Sequence, residues 1–181
     1  MTDTAKGDAT RRALLTAGAL AGAAAPLAAM AAVPATARTI PGVEFVYEAI
    51  ADLAPAQVLG QTPLGLRRQI PILGGTFQGP KIKGTILAGG VDWQLVRPDG
   101  FTTIEAVYTI QTSDGVLIHV NNHGIIRDIN KPAPQGYART IPEFEAPNGA
   151  YGWLNEAVFI GTLAPVAGPK PQVKIGIFRV T

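Results

Sequence analysis

The chain has 181 residues, no cysteine, and 15 basic against 13 acidic side chains, a formal net charge of +2. The missing cysteine excludes thiol catalysis, iron–sulfur clusters, cysteine zinc sites and disulfide stapling. No cluster of Lys and Arg is interleaved with aromatics, which argues against a nucleic-acid partner.

Residues 1–37 read as an address. Thr10-Arg11-Arg12-Ala13-Leu14-Leu15 sets paired arginines before a leucine pair. Residues 13–33 are an apolar run of mostly Ala, Leu and Gly, and Pro34-Ala35-Thr36-Ala37 supplies a small-x-small exit. Positive start, apolar middle and small-residue end are the parts of a secretory signal, and the paired arginines match the twin-arginine export route. A membrane anchor is the competing reading, because about 20 apolar residues suffice to span a bilayer. Pro26 and the weak apolarity of alanine weigh against it. The expectation is a twin-arginine-type signal peptide over residues 1–37 and one domain over residues 38–181. That domain is expected in the periplasm, with no membrane contact after cleavage. Its charge is nearly balanced, and Arg67-Arg68 and Lys81-x-Lys83 read as solvated surface.

Beyond residue 37, dense Gly and Pro punctuate short runs rich in Val, Ile, Thr and aromatics, the composition of strands. Strands are predicted over residues 44–53, 69–77, 81–87, 92–97, 101–111, 116–122, 153–161 and 173–180. A short helix is placed near residues 54–59. Residues 127–149, with Pro132, Pro134, Pro142 and Pro147, are predicted as a long loop over one end of the fold, and such loops are often functional. Eight short strands point to an all-β, single-domain antiparallel β-barrel, and an eight-stranded barrel can hold one small ligand.

Two hairpins have a mechanism. Arg97-Pro98-Asp99-Gly100 and Ser113-Asp114-Gly115 suit three-residue loops with glycine at the left-handed position. That geometry pairs Arg97 with Phe101 and Thr112 with Val116. It sets Trp93 opposite Glu105 and Glu105 opposite His123. One face then carries Ile104, Ala106, Tyr108, Ile110, Ile118 and Val120, a core face. The polar residues on it are Asp92, Gln94 and Asn122, with the Tyr108 hydroxyl. Buried polar groups are costly unless paired, so their gathering suggests a lined cavity. A one-residue slip would exchange the faces.

Gly74-Gly75-Thr76-Phe77-Gln78-Gly79-Pro80, then Gly89-Gly90-Val91-Asp92-Trp93-Gln94-Leu95-Val96-Arg97-Pro98-Asp99-Gly100, then Tyr151-Gly152-Trp153-Leu154-Asn155 resemble the bacterial domain-of-unknown-function family 3237. The likeness runs over residues 45–180. It implies a compact antiparallel β-barrel and assigns no chemistry.

Asp92 leads the chemical candidates. A carboxyl group inside a barrel has its pKa raised by desolvation and suits general acid–base work. Its plain alternative is a strand-end Asp bonded to the amides of Gly89 or Gly90. Tyr108 is read either as a donor to a developing oxyanion or as a core tyrosine with one satisfied hydroxyl. Gln94 and Asn122 orient a ligand carbonyl or hydroxyl, or satisfy strand ends. Trp93 and Trp153 stack on a flat ring, or fill a core, and Asn155 is placed with them as a ligand contact. Glu105 is the alternative carboxylate, solvated on this register and joining Asp92 if the register slips. His119 and His123, four apart on a strand, stand about 13 Å apart, too far to ligate one metal side by side. No metal and no cofactor is expected. The leading expectation is a cofactor-free lyase, isomerase or cyclase for a small aromatic or carbonyl-bearing molecule. Its rivals are a non-catalytic periplasmic binding protein and a structural barrel filled by side chains. A homo-oligomer is compatible with all three.

Overall fold

The computed structural model describes residues 39–181; the expected signal segment lies outside the described residues. Ten antiparallel strands follow in order: β1 (Val43–Leu53), β2 (Gln57–Thr62), β3 (Gly65–Gln78), β4 (Lys83–Ile86), β5 (Gly90–Val96), β6 (Thr102–Thr112), β7 (Leu117–Arg127), β8 (Tyr137–Glu145), β9 (Phe159–Pro165) and β10 (Gln172–Val180). The sheet runs β1-β10-β9-β8-β7-β6-β4-β3, and β3 pairs back onto β1, which closes the barrel. Closure removes most of the unpaired strand edge that an open sheet would expose.

Ten strands fill eight positions because two positions are interrupted. β4 pairs with the last residues of β3 and β6, whereas β5 pairs with the first halves of the same two strands. They are one strand broken at Gly89, whose φ of 105° suits only glycine. In the same way β2 continues β1 along β3. The antiparallel barrel of about eight strands expected from composition is therefore the observed fold.

Both hairpins form as their turn residues require. Arg97 N–H donates to Phe101 O at 2.8 Å and Thr112 N–H to Val116 O at 2.9 Å, with Gly100 at φ 84° and Gly115 at φ 91°. Trp93 pairs with Glu105, and Glu105 with His123. No slip occurs.

Three sequence expectations are corrected. Residues 54–59 do not form a helix. Their second half enters β2, drawn into the sheet by a tight turn in which the Thr62 hydroxyl donates to Gly65 O at 2.8 Å. Residues 127–149 are not one long loop, because β8 occupies their middle with strict in–out alternation: Ala138, Thr140, Pro142 and Phe144 face inward. Proline usually bars a central strand. Here β8 pairs with β9 only at Arg139–Thr162 and Thr140–Gly161, so Pro142 lies beyond that ladder and forfeits no bond to it. The true loop shrinks to residues 128–136 and sits over one barrel end, as expected of the longer segment. Finally, residues 153–161 are strand only from Phe159; Trp153 lies in a 3-10 turn, Gly152–Asn155.

The two ends of the barrel are filled differently. At the end holding the start of β1, Tyr47 packs on Phe77 (ring centroids 5.2 Å apart) and Phe144 (6.3 Å), and Phe144 packs on Phe159 (5.0 Å). Edge-on aromatic contacts of this kind fill a barrel densely. At the other end the inward residues are mostly aliphatic, a few are polar, and two are alanines, Ala51 and Ala106. They leave a space.

Candidate functional site

That space is a cavity of about 240 Å³. Its walls are mostly aliphatic, with Ile70, Ile72, Ile86, Ile104 and Ile175 prominent, and Ile129 of the 128–136 loop reaches its edge. The polar residues lining it are Arg68, Asp92, Gln94, Tyr108, Asn122 and Gln172. Apolar walls with a few convergent polar groups characterise small-molecule sites.

Register explains the convergence. One cross-strand row reads Ile70, Asp92, Ala106, Asn122, and the next reads Arg68, Gln94, Ile104. Members of a row share a face. Asp92 and Asn122 thus flank Ala106, about 10 Å apart across two strand spacings, and the small Ala106 side chain leaves the gap between them open. Tyr108 stands two residues further along β6. Gly90 makes room for it: a Cβ there would sit 2.5 Å from the Tyr108 Cβ.

The hydrogen bonds form a short relay. Arg68 Nε donates to Gln94 Oε1 at 2.8 Å, and Gln94 Nε2 donates to Asp92 Oδ2 at 2.5 Å. The other carboxyl oxygen, Asp92 Oδ1, is buried without a partner, as is Asn122 Oδ1. Each such orphan costs about 1–3 kcal/mol, a cost that a polar partner for either oxygen would offset. Burial raises the Asp92 pKa, with the Gln94 hydrogen bond, the Glu105 backbone amide and the Arg68 charge pulling the other way. Burial also raises the Tyr108 pKa, so its phenol stays protonated as a donor.

The structure brings Asp92, Gln94, Tyr108 and Asn122 to one cavity and sets four other sequence candidates apart from it. Glu105 is exposed on the outer face, because no slip occurred. Trp93 is 36% exposed on that face, as strand alternation from Asp92 demands. Trp153 packs against Phe159, ring centroids 6.3 Å apart and tilted by 53°, and lines a separate depression with Glu44, Lys81 and Arg179 at the opposite barrel end. Asn155 staples a loop: its amide accepts from Ala146 N–H at 2.9 Å and donates to Ala146 O at 2.8 Å. The alternative of Asp92 bonded to the Gly89 or Gly90 amide is not seen; Gly89 N–H donates to Ile72 O.

Arg68 and Gln172 escaped the sequence reading. Arg68 was expected to be solvated beside Arg67, yet it lines the cavity. The alternation Leu66, Arg68, Ile70, Ile72 carried the signal, since three of those four are apolar. Gln172 donates to Asp52 Oδ1 at 2.7 Å, closing the rim between β10 and β1. His119 and His123 are both exposed, and among the described residues no three His, Asp or Glu gather at metal-binding distance.

A family model described as "Protein of unknown function (DUF3237)" matches residues 41–180. A UPF0311 protein of Bradyrhizobium diazoefficiens is 33% identical over 132 residues, covering 67% of this chain and 86% of the relative. The hydroalkoxylation enzyme phnH of Penicillium herquei is 31% identical over 124 residues, covering 68% of this chain and 75% of the relative. Among solved structures, a conserved protein of unknown function from Rhodopseudomonas palustris is similar with a TM-score of 0.72 at 32% identity. That likeness covers 80% of this chain and 100% of the other.

Proposed function

The chain belongs to this DUF3237 family, and we propose that its barrel binds a small, mostly apolar organic molecule and performs cofactor-free acid–base chemistry on it through Asp92. One observation carries the reading: a desolvated carboxyl group with an unpaired oxygen lines a cavity that also holds Tyr108 and Asn122. A carboxyl group whose pKa is raised by burial holds its proton more readily than a solvated one and can give it up as an acid, and its conjugate base can take a proton back. The other groups hold the reactant. The Tyr108 hydroxyl donates to a developing negative oxygen, and the Asn122 carbonyl accepts from a ligand hydroxyl.

The reaction class fits a lyase, isomerase or cyclase. The Penicillium relative's printed activity, hydroalkoxylation, is of this kind: an O–H bond adds across a carbon–carbon double bond. On Asp92 the balance closes within one residue. The protonated carboxyl gives its proton to an alkene carbon, the hydroxyl oxygen bonds to the other carbon, and the carboxylate takes the hydroxyl proton. No electron is exchanged with a third party.

The test uses an ortho-allylic phenol as probe, with ring closure followed by chromatography. Asp92→Asn is expected to bind the probe as the wild type does and to lose ring closure by about 10²–10⁴-fold, the usual worth of a general acid. Ring closure that survives the substitution takes the role from Asp92. Binding without ring closure in the wild type favours the carrier reading, which needs the cavity and not the unpaired carboxyl oxygen.

We further propose that this chemistry takes place in the periplasm after twin-arginine export. Support comes from Arg11-Arg12, the apolar run and the Ala35-Thr36-Ala37 exit. Replacing both arginines by lysine is expected to leave the full-length chain in the cytoplasmic fraction; a wild-type chain found there at full length would reject the export reading.

A further inference from the structure

Resting on the reading of the cavity as a ligand site, we propose that its ligand carries one anionic oxygen, a carboxylate or a phenolate, and that Arg68 is the residue that binds it. The argument starts from charge. Among the described residues, Arg68 and Asp92 are the only charged side chains lining the cavity. They do not form an ion pair; the Gln94 carboxamide stands between them and takes up Arg68 Nε and Asp92 Oδ2 at its two ends. Among the described residues, the two Nη atoms of Arg68 make no hydrogen bond and no carboxylate lies within ion-pair reach of them.

This arginine is held, not free. It is half-buried on β3, directly across from Gln94 in the ladder, and its Nε bond sets the plane of the guanidinium. A surface arginine samples many rotamers at little cost, whereas this one has lost part of that freedom with nothing on its forked end to show for it. A planar fork of N–H donors matches a carboxylate or phenolate oxygen better than any neutral group. The same fork, with aliphatic walls behind it, selects an apolar body with one acidic head. Gln94 is a positioning residue in this scheme. Its amide couples the anion-binding guanidinium to the carboxyl group that moves the proton.

The experiment compares 2-naphthoate with 2-naphthamide, which share shape and differ in charge, by titration calorimetry on the full chain. The wild type is expected to prefer the naphthoate by about ten- to a hundredfold, the worth of one charge-assisted contact. Arg68→Gln is expected to erase that preference by weakening naphthoate binding more than naphthamide binding, and Arg68→Lys to restore part of it. Circular dichroism and thermal melting confirm that each variant folds. Equal affinities in the wild type, or a preference that survives Arg68→Gln, overturn the inference and leave the cavity reading standing. Failure of both probes to bind the wild type defeats the cavity reading itself, and the inference with it.

Discussion

Replacing Ala106 by leucine separates an open cavity from a packed barrel by the sign of one number. Ala106 lies between Asp92 and Asn122 on the cavity wall, and its Cβ points into about 240 Å³ of space. Leucine adds three carbons there. At about 0.8 kcal/mol per buried carbon the transfer gain is about 2.4 kcal/mol. Freezing the leucine rotamer costs about 0.5–1 kcal/mol. The two neighbouring oxygens are already without protein partners, so the leucine breaks no protein hydrogen bond. The net expectation runs from neutral to about 2 kcal/mol of stabilisation, measured as the shift in urea midpoint at constant m-value. The same variant is expected to lose binding of 2-naphthoate and 2-naphthamide alike, because it fills their space. Were the barrel packed at this level, the added carbons would cost about 1–3 kcal/mol instead. Destabilisation beyond about 1 kcal/mol, or undiminished probe binding, refutes the reasoning.

Gly90→Ala is expected to destabilise by about 1–3 kcal/mol through overpacking, since the new Cβ would meet the Tyr108 Cβ at 2.5 Å and Val107 O at 2.9 Å. Gly168→Ala, with nothing within 4 Å, is the control and should stay within about 0.5 kcal/mol in the same denaturation assay. Asp92 also predicts a pH signature. Its native pKa is raised, mainly by burial, so between the ordinary Asp value of about 3.9 and the native value the folded state binds more protons than the unfolded one. Stability therefore falls as pH rises through that window and levels off above it. Asp92→Asn should remove this fall, so melting curves of variant and wild type converge near pH 3 and separate toward neutrality in the variant's favour. Parallel curves would show that the Asp92 carboxyl is not desolvated.

What could be read from the residues alone was what short-range geometry controls. Gly100 and Gly115 each hold a positive φ that fits one hairpin loop, and a hairpin loop sets the register of its two strands. From that register alternation follows mechanically, which is why Asp92, Gln94, Tyr108 and Asn122 could be assigned to the inner face and Glu105 to the outer one. Trp93, expected as a ligand contact, is turned to the outer face by the same alternation. Tertiary structure decided whatever depends on pairings between distant segments. β8 carries a proline that reads as a loop, and only its short ladder with β9 shows why the sheet tolerates Pro142. Arg68 has a twin at Arg67, and although the alternation of Leu66, Ile70 and Ile72 marks its face, only pairing with Gln94 on β5 brings it into the relay to Asp92. Trp153 and Asn155 share the turn Gly152–Asn155, and barrel closure carries that turn to the end opposite the cavity. The cavity itself is a difference between two ends, one filled by Tyr47, Phe77, Phe144 and Phe159 and the other edged by Ala51 and Ala106. No local pattern states which residues share an end, because that is settled only when the last strand meets the first.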